Sequence, residues 1–187
     1  REEIQRLGGR VLFGWRVTDL LTEGGALRGL RVATPEGERE LECAFAILAI
    51  GHSARDTLEM LCRCGLRMEQ KPFAVGVRIE HPRRMIDEAR YGRFAGHPAL
   101  GAADYKLSCR PAGGRGVYTF CMCPGGVVVP AASEPGGVVV NGMSEYARDA
   151  ANSNSALLVG VGPEDYGDPH PLAGVAFQRR LEQAAFR

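Results

Sequence analysis

Residues 116–144 read GVYTFCMCPGGVVVPAASEPGGVVVNGMS, and they decide the fold of the second half of the chain. Residues 117–123 are rich in β-branched and aromatic side chains, which predicts a strand. Alternation along that strand places four side chains on one face: Val117, Thr119, Cys121 and Cys123. Pro124 ends the strand because it has no N–H for a ladder hydrogen bond. Gly125 and Gly126 then allow a close backbone approach that a Cβ would forbid.

Two shorter valine runs follow, at residues 127–129 and 138–140. The sequence between them, Ser-Glu-Pro-Gly-Gly at residues 133–137, predicts a turn because proline and glycine favour turn conformations. We therefore expect an antiparallel meander with two thiols at the end of its first strand.

Composition excludes several classes of protein. The 187 residues are 45% hydrophobic and 24% charged, which is ordinary for a globular chain of one domain and part of another. A net charge of +1 argues against a nucleic-acid partner. No apolar run approaches the ~20 residues that span a bilayer, and no secretory leader opens the chain. The sequence predicts a cytoplasmic protein with no membrane partner.

The first third of the chain carries a second strand-rich pattern. Residues 11–21, 27–34 and 38–50 predict three strands joined by glycine-containing turns. The last of them ends in the apolar run AFAILAI at residues 44–50, which has no alternation and predicts a strand buried on both faces of a parallel sheet. His52 follows the predicted strand end, where loops of open α/β sheets carry sites.

Several of these motifs resemble a group of bacterial FAD-dependent dehydrogenase-like proteins, in the class of flavoproteins with two dinucleotide-binding domains. The resemblance covers roughly residues 45–161. It rests on AIGHSARD at 49–56, KPFAVGVRIEHP at 71–82, GAADYKL at 101–107, FCMCPGG at 120–126, SEPGG at 133–137 and NGMS at 141–144. Ile50 departs from the wider class, which usually has a threonine there.

The resemblance implies FAD as the cofactor of the full-length protein, a small-molecule substrate, and a nicotinamide nucleotide or another electron partner. It implies that two segments approach the cofactor or substrate: Ala49, Gly51, His52 and Ser53 in the first, and Cys123, Pro124, Gly125 and Gly126 in the second. Cys121, Cys123 and His52 are the candidate catalytic residues. Arg78, Arg110, Arg148 and Lys106 are either holders of an anionic substrate or ordinary solvated charges.

The six cysteines leave alternatives open. We expect reduced thiols, because long strands rather than disulfides supply the stability. Cys121 and Cys123 either face the flavin or pack as small apolar side chains, and a redox dithiol requires a bent strand. A zinc site shared with Cys62 and Cys64 is disfavoured because structural zinc ligands are usually two to four residues apart. No metal is therefore predicted.

No G-x-G-x-x-G lies between a predicted strand and helix. We therefore expect the binding site for the FAD pyrophosphate to lie outside this chain, and the chain alone to bind FAD weakly or not at all. Both termini fall inside helical patterns, which favours an internal fragment of a longer protein. Helices are also expected at residues 56–64 and 82–89, strands at 73–79, 107–110 and 156–161, and a linker at 162–171. Three histidines beside prolines are expected at the surface: His81, His97 and His170.

The predicted class is α+β. Residues 1–67 would be part of an FAD-binding domain, with the meander, its terminal strand and a helix. Residues 68–162 would form a mostly antiparallel substrate or cap domain, and residues 163–187 a linker and a truncated helix. The predicted function is a fragment of an FAD-dependent oxidoreductase that covers the flavin. The rival hypothesis is a non-catalytic binding or interaction domain derived from a flavoprotein.

Overall fold

A computed structural model describes residues 1–187 and divides the chain into two compact units, Arg1–Glu69 and Gln70–Arg187. Helices and antiparallel sheets make up both units, which confirms the predicted α+β class. The residues predicted as a separate terminal segment, 163–187, belong to the second unit.

The first unit is a meander with one helix against it. Helix α1 (Glu2–Arg6) precedes a three-stranded antiparallel sheet in the order β1-β2-β3, formed by Arg16–Glu23, Ala26–Thr34 and Gly37–Glu42. Helix α2 (Arg55–Arg63) lies against β1, and its Met60 and Leu61 are buried. The predicted meander and the predicted helix are confirmed.

The strand predicted at residues 44–50 is wrong for this chain. Residues 43–54 form no helix or strand, and the side chains of Phe45 and Ile47 are 91% and 95% exposed. A buried parallel strand is held by hydrogen bonds to its neighbours and by layers on both faces. Strand β3 ends at Glu42, and no strand of the chain pairs with the residues that follow it. The apolar run therefore has neither a hydrogen-bonded neighbour nor covering layers in this chain.

The second unit is built on a four-stranded antiparallel sheet in the order β4-β9-β6-β5. Its strands are β4 (Phe73–Pro82), β5 (Ser108–Cys109), β6 (Val117–Cys123) and β9 (Asn152–Val161). Strand β9 is central and pairs with β4 along ten residues, from Phe73 opposite Val161 to Pro82 opposite Asn152.

Strands β7 (Gly126–Pro130) and β8 (Val140–Ser144) form a separate antiparallel hairpin. The predicted meander through residues 116–144 is therefore wrong in its pairing, because β6 lies between β9 and β5 and does not pair with β7. The chain leaves the large sheet at Pro124, which cannot donate to a ladder, and at Gly125, whose φ is +50°. The valine run at 138–140 also falls mostly before β8.

Helices close the two ends of the second unit. Helix α3 (Arg83–Tyr91) and a 3₁₀ turn at Gly92–Phe94 follow β4, while α4 (Pro163–Tyr166) and α5 (Ala173–Phe186) follow β9. The predicted linker at 162–171 is wrong in part, because Tyr166 is only 3% exposed. Its ring stacks on Phe73 with centroids 5.2 Å apart, and its hydroxyl donates to the Lys71 carbonyl at 2.7 Å.

The core of this unit gathers at that end of the sheet. Val161, Tyr166 and Ala173 are buried, with Phe73, Val75 and Phe177 packed against them. No helix of the chain combines the length and the apolar character needed to cross a bilayer.

Candidate functional site

A bulge near the end of β6 decides where the two thiols lie. Phe120 is opposite Ala156, but Cys123 is opposite Asn154, so three steps along β6 match two along β9. Cys121 has a φ of +45°, a strained conformation for a non-glycine residue that is more common at functional sites than elsewhere. An extra residue moves later side chains to the other face of the sheet. The prediction that Cys123 shares a face with Val117 and Thr119 is therefore wrong.

Cys123 instead joins a polar cluster with Arg78 and Asn154. The Arg78 Nη1 atom donates to Asn154 Oδ1 at 2.7 Å and to the Cys121 carbonyl at 3.1 Å, and lies 4.0 Å from Cys123 Sγ. Asn154 is fully buried and Arg78 is half-buried. The guanidinium is held by neutral acceptors, and no carboxylate forms an ion pair with it. A half-buried cation of this kind suits an anion or an electron-rich ring.

The backbone of β8 passes directly over this cluster at Gly142. A Cβ added to Gly142 would overlap Arg78 Nη1 and Asn154 Oδ1 and would lie 2.7 Å from Cys123 Sγ. A side chain at this position would therefore force the side chains of Arg78, Asn154 and Cys123 to move. The Asn154 Nδ2 atom is buried and has no hydrogen-bond partner, which is an uncommon state for a buried donor.

Pro124, Gly125 and Gly126 are buried. A Cβ on Gly125 would overlap the Arg148 carbonyl oxygen, and one on Gly126 would overlap that of Met143. The Gly125 N–H donates to the buried Ser153 Oγ at 3.0 Å. Both glycines therefore have a packing role within the chain, where other backbone segments already occupy the space beside them.

The other predicted cofactor segment is open. Ala49, Gly51, His52 and Ser53 are exposed and lie in the first unit. Gly51 has a φ of +68°, and a Cβ added there would meet no atom within 4 Å. The backbone at Gly51 therefore presents an unobstructed surface.

The remaining predicted groups do not assemble into a second centre. All six cysteines are free thiols, and no group of three or more His, Cys, Asp or Glu side chains is arranged to hold a metal ion. The Cys64 thiol donates to Asp19 Oδ1 at 3.1 Å. Burial raises the pKa of Cys64, and the hydrogen bond to Asp19 raises it further. Arg110, Arg148 and Lys106 are exposed.

Two features escaped the sequence analysis. Asn154 was not predicted as a site residue, although the polar run NSNS at 152–155 opens an otherwise apolar strand and was the available signal. The surface role expected for His81 is wrong, because His81 lies in β4, is half-buried, and hydrogen-bonds Tyr105 at 2.8 Å. Periodicity cannot reveal that contact, since Tyr105 is 24 residues further along the chain.

Comparison with known proteins shows the family to which this chain belongs. The chain belongs to the family described as FAD-dependent protein, C-terminal domain-like, whose model matches residues 72–187. It is also 50% identical over 188 residues to an uncharacterized protein of Clostridium beijerinckii. That match covers 100% of this chain and 34% of the relative, so the chain spans about a third of the relative's length.

Proposed function

We propose that this chain is part of an FAD-dependent oxidoreductase and that its second unit covers the flavin and shapes the substrate pocket. The observation that carries the proposal is the family match over residues 72–187, which is most of that unit. The family description refers only to a dependence on FAD, so redox turnover, the substrate and the electron partner are part of the proposal.

The Arg78 cluster supports a position next to the flavin or an anionic substrate. Its charge has no carboxylate partner, its neighbour Cys121 is exposed in a strained conformation, and the Cys123 thiol lies on the same side. These donors suit a conjugated ring whose electron density rises on reduction. Gly125 and Gly126 do not fit as an open cradle, since the chain's own carbonyls fill the space beside them.

Each part of the chain then has a distinct role. Flavin, when bound, supplies the redox chemistry, while the protein supplies binding, orientation and electrostatics. Arg78 stabilises negative charge on the ring or on a substrate. Gly125 and Gly126 hold β7 and β8 in place over the cluster. The electron partner that we propose is a nicotinamide nucleotide or another redox partner.

The role of Arg78 can be tested in the full-length protein that contains this chain. Arg78→Met removes the cation and keeps the length of the side chain, and Arg110→Met removes an exposed arginine as the matched control. We expect Arg78→Met to retain flavin and to lower its midpoint potential by on the order of 30 mV, about 1.4 kcal/mol for two electrons. The control should not change the potential.

Equal potentials in the two variants, with flavin bound, would contradict a placement of Arg78 next to the flavin. If no candidate substrate or nicotinamide nucleotide reduces the flavin of the wild-type protein, the oxidoreductase proposal is overturned and a non-catalytic domain is favoured.

A further inference from the structure

The opposite face of the large sheet carries a pocket that belongs to no site described so far. It lies between helix α3 and strands β4, β6 and β9, and its volume is about 400 Å³. This volume lies within the range of roughly 300–1,000 Å³ that small-molecule pockets occupy. Its wall is mostly apolar and includes Ile79, Met85, Ile86, Ala89, Leu107 and Leu157.

A histidine and a tyrosine provide the polar part of this wall. His81 Nε2 and the Tyr105 hydroxyl oxygen are 2.8 Å apart, and both side chains are half-buried. The hydroxyl of Ser155, which is fully buried, lies next to Tyr105. Burial raises the pKa of Tyr105, so the phenol keeps its proton at neutral pH.

The Tyr105 hydroxyl of this pair can donate a hydrogen bond to a ligand. In one histidine tautomer, Nδ1–H faces the Pro82 carbonyl at 3.4 Å and Nε2 accepts the tyrosine proton. In the other tautomer, Nε2–H donates to the phenol oxygen, and the Tyr105 O–H can donate either to the neighbouring Ser155 hydroxyl or to an acceptor in the pocket. The exchange changes no net charge. An oxygen acceptor on a bound molecule therefore finds a donor in an otherwise apolar surface.

The rim of the pocket adds a second polar contact. Arg83 and Arg84 of α3 form ion pairs one turn along the helix, with Asp87 and Glu88. Arg90 lines the pocket, is exposed, and forms no ion pair. Asp104 also lines it and is exposed, so the rim carries one charge of each sign.

We propose that this pocket binds a compact, mainly apolar molecule bearing a carbonyl or carboxylate oxygen, with that oxygen hydrogen-bonded to Tyr105. A carboxylate gains a further contact with Arg90, whereas a neutral carbonyl compound depends on the tyrosine alone. The inference goes beyond the proposed function, because binding here requires neither flavin nor redox turnover.

The test titrates the 187-residue chain with probes that share an aromatic body and follows amide shifts by NMR. The probes are 3-phenylpropionate, the neutral ketone 4-phenyl-2-butanone, and 3-phenylpropylamine, which has no carbonyl oxygen. We expect the first two to shift amides of α3, β4 and residues 104–107, with the amine at least fivefold weaker. Tyr105→Phe should weaken binding of both oxygen-bearing probes about fivefold, the equivalent of one hydrogen bond.

Tyr118→Phe is the matched control. It removes a phenol hydroxyl from the same sheet but from outside the pocket, and it should leave the affinities unchanged. Ala89→Phe fills the pocket from the exposed side of α3 and should abolish the shifts in a protein that remains folded. Arg90→Met separates the two ligand types, because it should weaken the carboxylate probe only.

Two results would overturn the inference. One is the absence of shifts around the pocket with every probe at millimolar concentration. The other is equal weakening by Tyr105→Phe and Tyr118→Phe. Neither result depends on whether the longer protein holds flavin, so failure here and failure of the proposed function are distinguishable.

Discussion

Replacing Gly125 with alanine tests whether this glycine is required for packing. The residue has a φ of +50°, which costs an L-residue roughly 1–2 kcal/mol. The added Cβ would also overlap the Arg148 carbonyl oxygen, so the segment at Arg148 must move away. That movement threatens the 3.0 Å hydrogen bond from the Gly125 N–H to Ser153 Oγ, and a buried group left unpaired costs about 1–3 kcal/mol. We expect Gly125→Ala to lower the free energy of unfolding by about 2–5 kcal/mol.

The assay is urea unfolding of the 187-residue chain followed by far-UV circular dichroism, with Gly160→Ala as the matched control. Gly160 is exposed on β9, and a Cβ added there would meet no atom within 4 Å. The control should change the free energy of unfolding by less than about 1 kcal/mol. If the two variants are equally stable, the packing role of Gly125 is refuted.

Thiol reactivity and pH dependence test two other parts of the structure. Cys109 and Cys121 are exposed and should react with iodoacetamide before Cys64, because burial and a hydrogen bond to an aspartate raise the pKa of Cys64. Mass spectrometry of labelled peptides gives the order of reaction. Early labelling of Cys64 would contradict this expectation. The hydrogen bonds from Arg115 hold the pKa of Asp165 below its usual range, so this contribution to stability is present at neutral pH and is lost as the pH falls below about 4. Asp165→Asn should therefore lower the urea midpoint more at about pH 7 than at about pH 3, and an equal effect at both values would contradict this role of the pair.

Local sequence patterns predicted the positions of several strands. Alternating side chains located β4, the run of β-branched and aromatic residues located β6, and glycine-containing turns separated the strands of the first unit. The order β4-β9-β6-β5 was beyond these signals, because it joins strands that are far apart in the chain. Pairing between distant strands depends on tertiary contacts that a single sequence does not display.

The apolar run at residues 44–50 shows a different limit. Its apolar composition is typical of a strand that is covered on both faces. The composition does not show whether the chain contains the neighbouring elements that would cover it. No strand of this chain pairs with the run, so Phe45 and Ile47 remain exposed.

The candidate site was predicted only in part. Cys123 and Arg78 were both candidates from the sequence, but their proximity was not predicted and their neighbour Asn154 on β9 was missed. The bulge at Cys121 reverses the face that simple alternation assigns to Cys123, and no residue in the run VYTFCMC signals a bulge. Glycine likewise indicates that a close approach is required without revealing its partner, which at Gly125 is the Arg148 backbone.

We infer that this chain is part of a flavoprotein whose binding site for the FAD phosphates lies outside these 187 residues. The most direct measurement is the visible absorption spectrum of the full-length protein beside that of the 187-residue chain, with the released cofactor identified after denaturation. We predict flavin bands and FAD in the full-length protein and none in the chain alone. A full-length protein that holds no flavin, even after incubation with excess FAD, would contradict the claim.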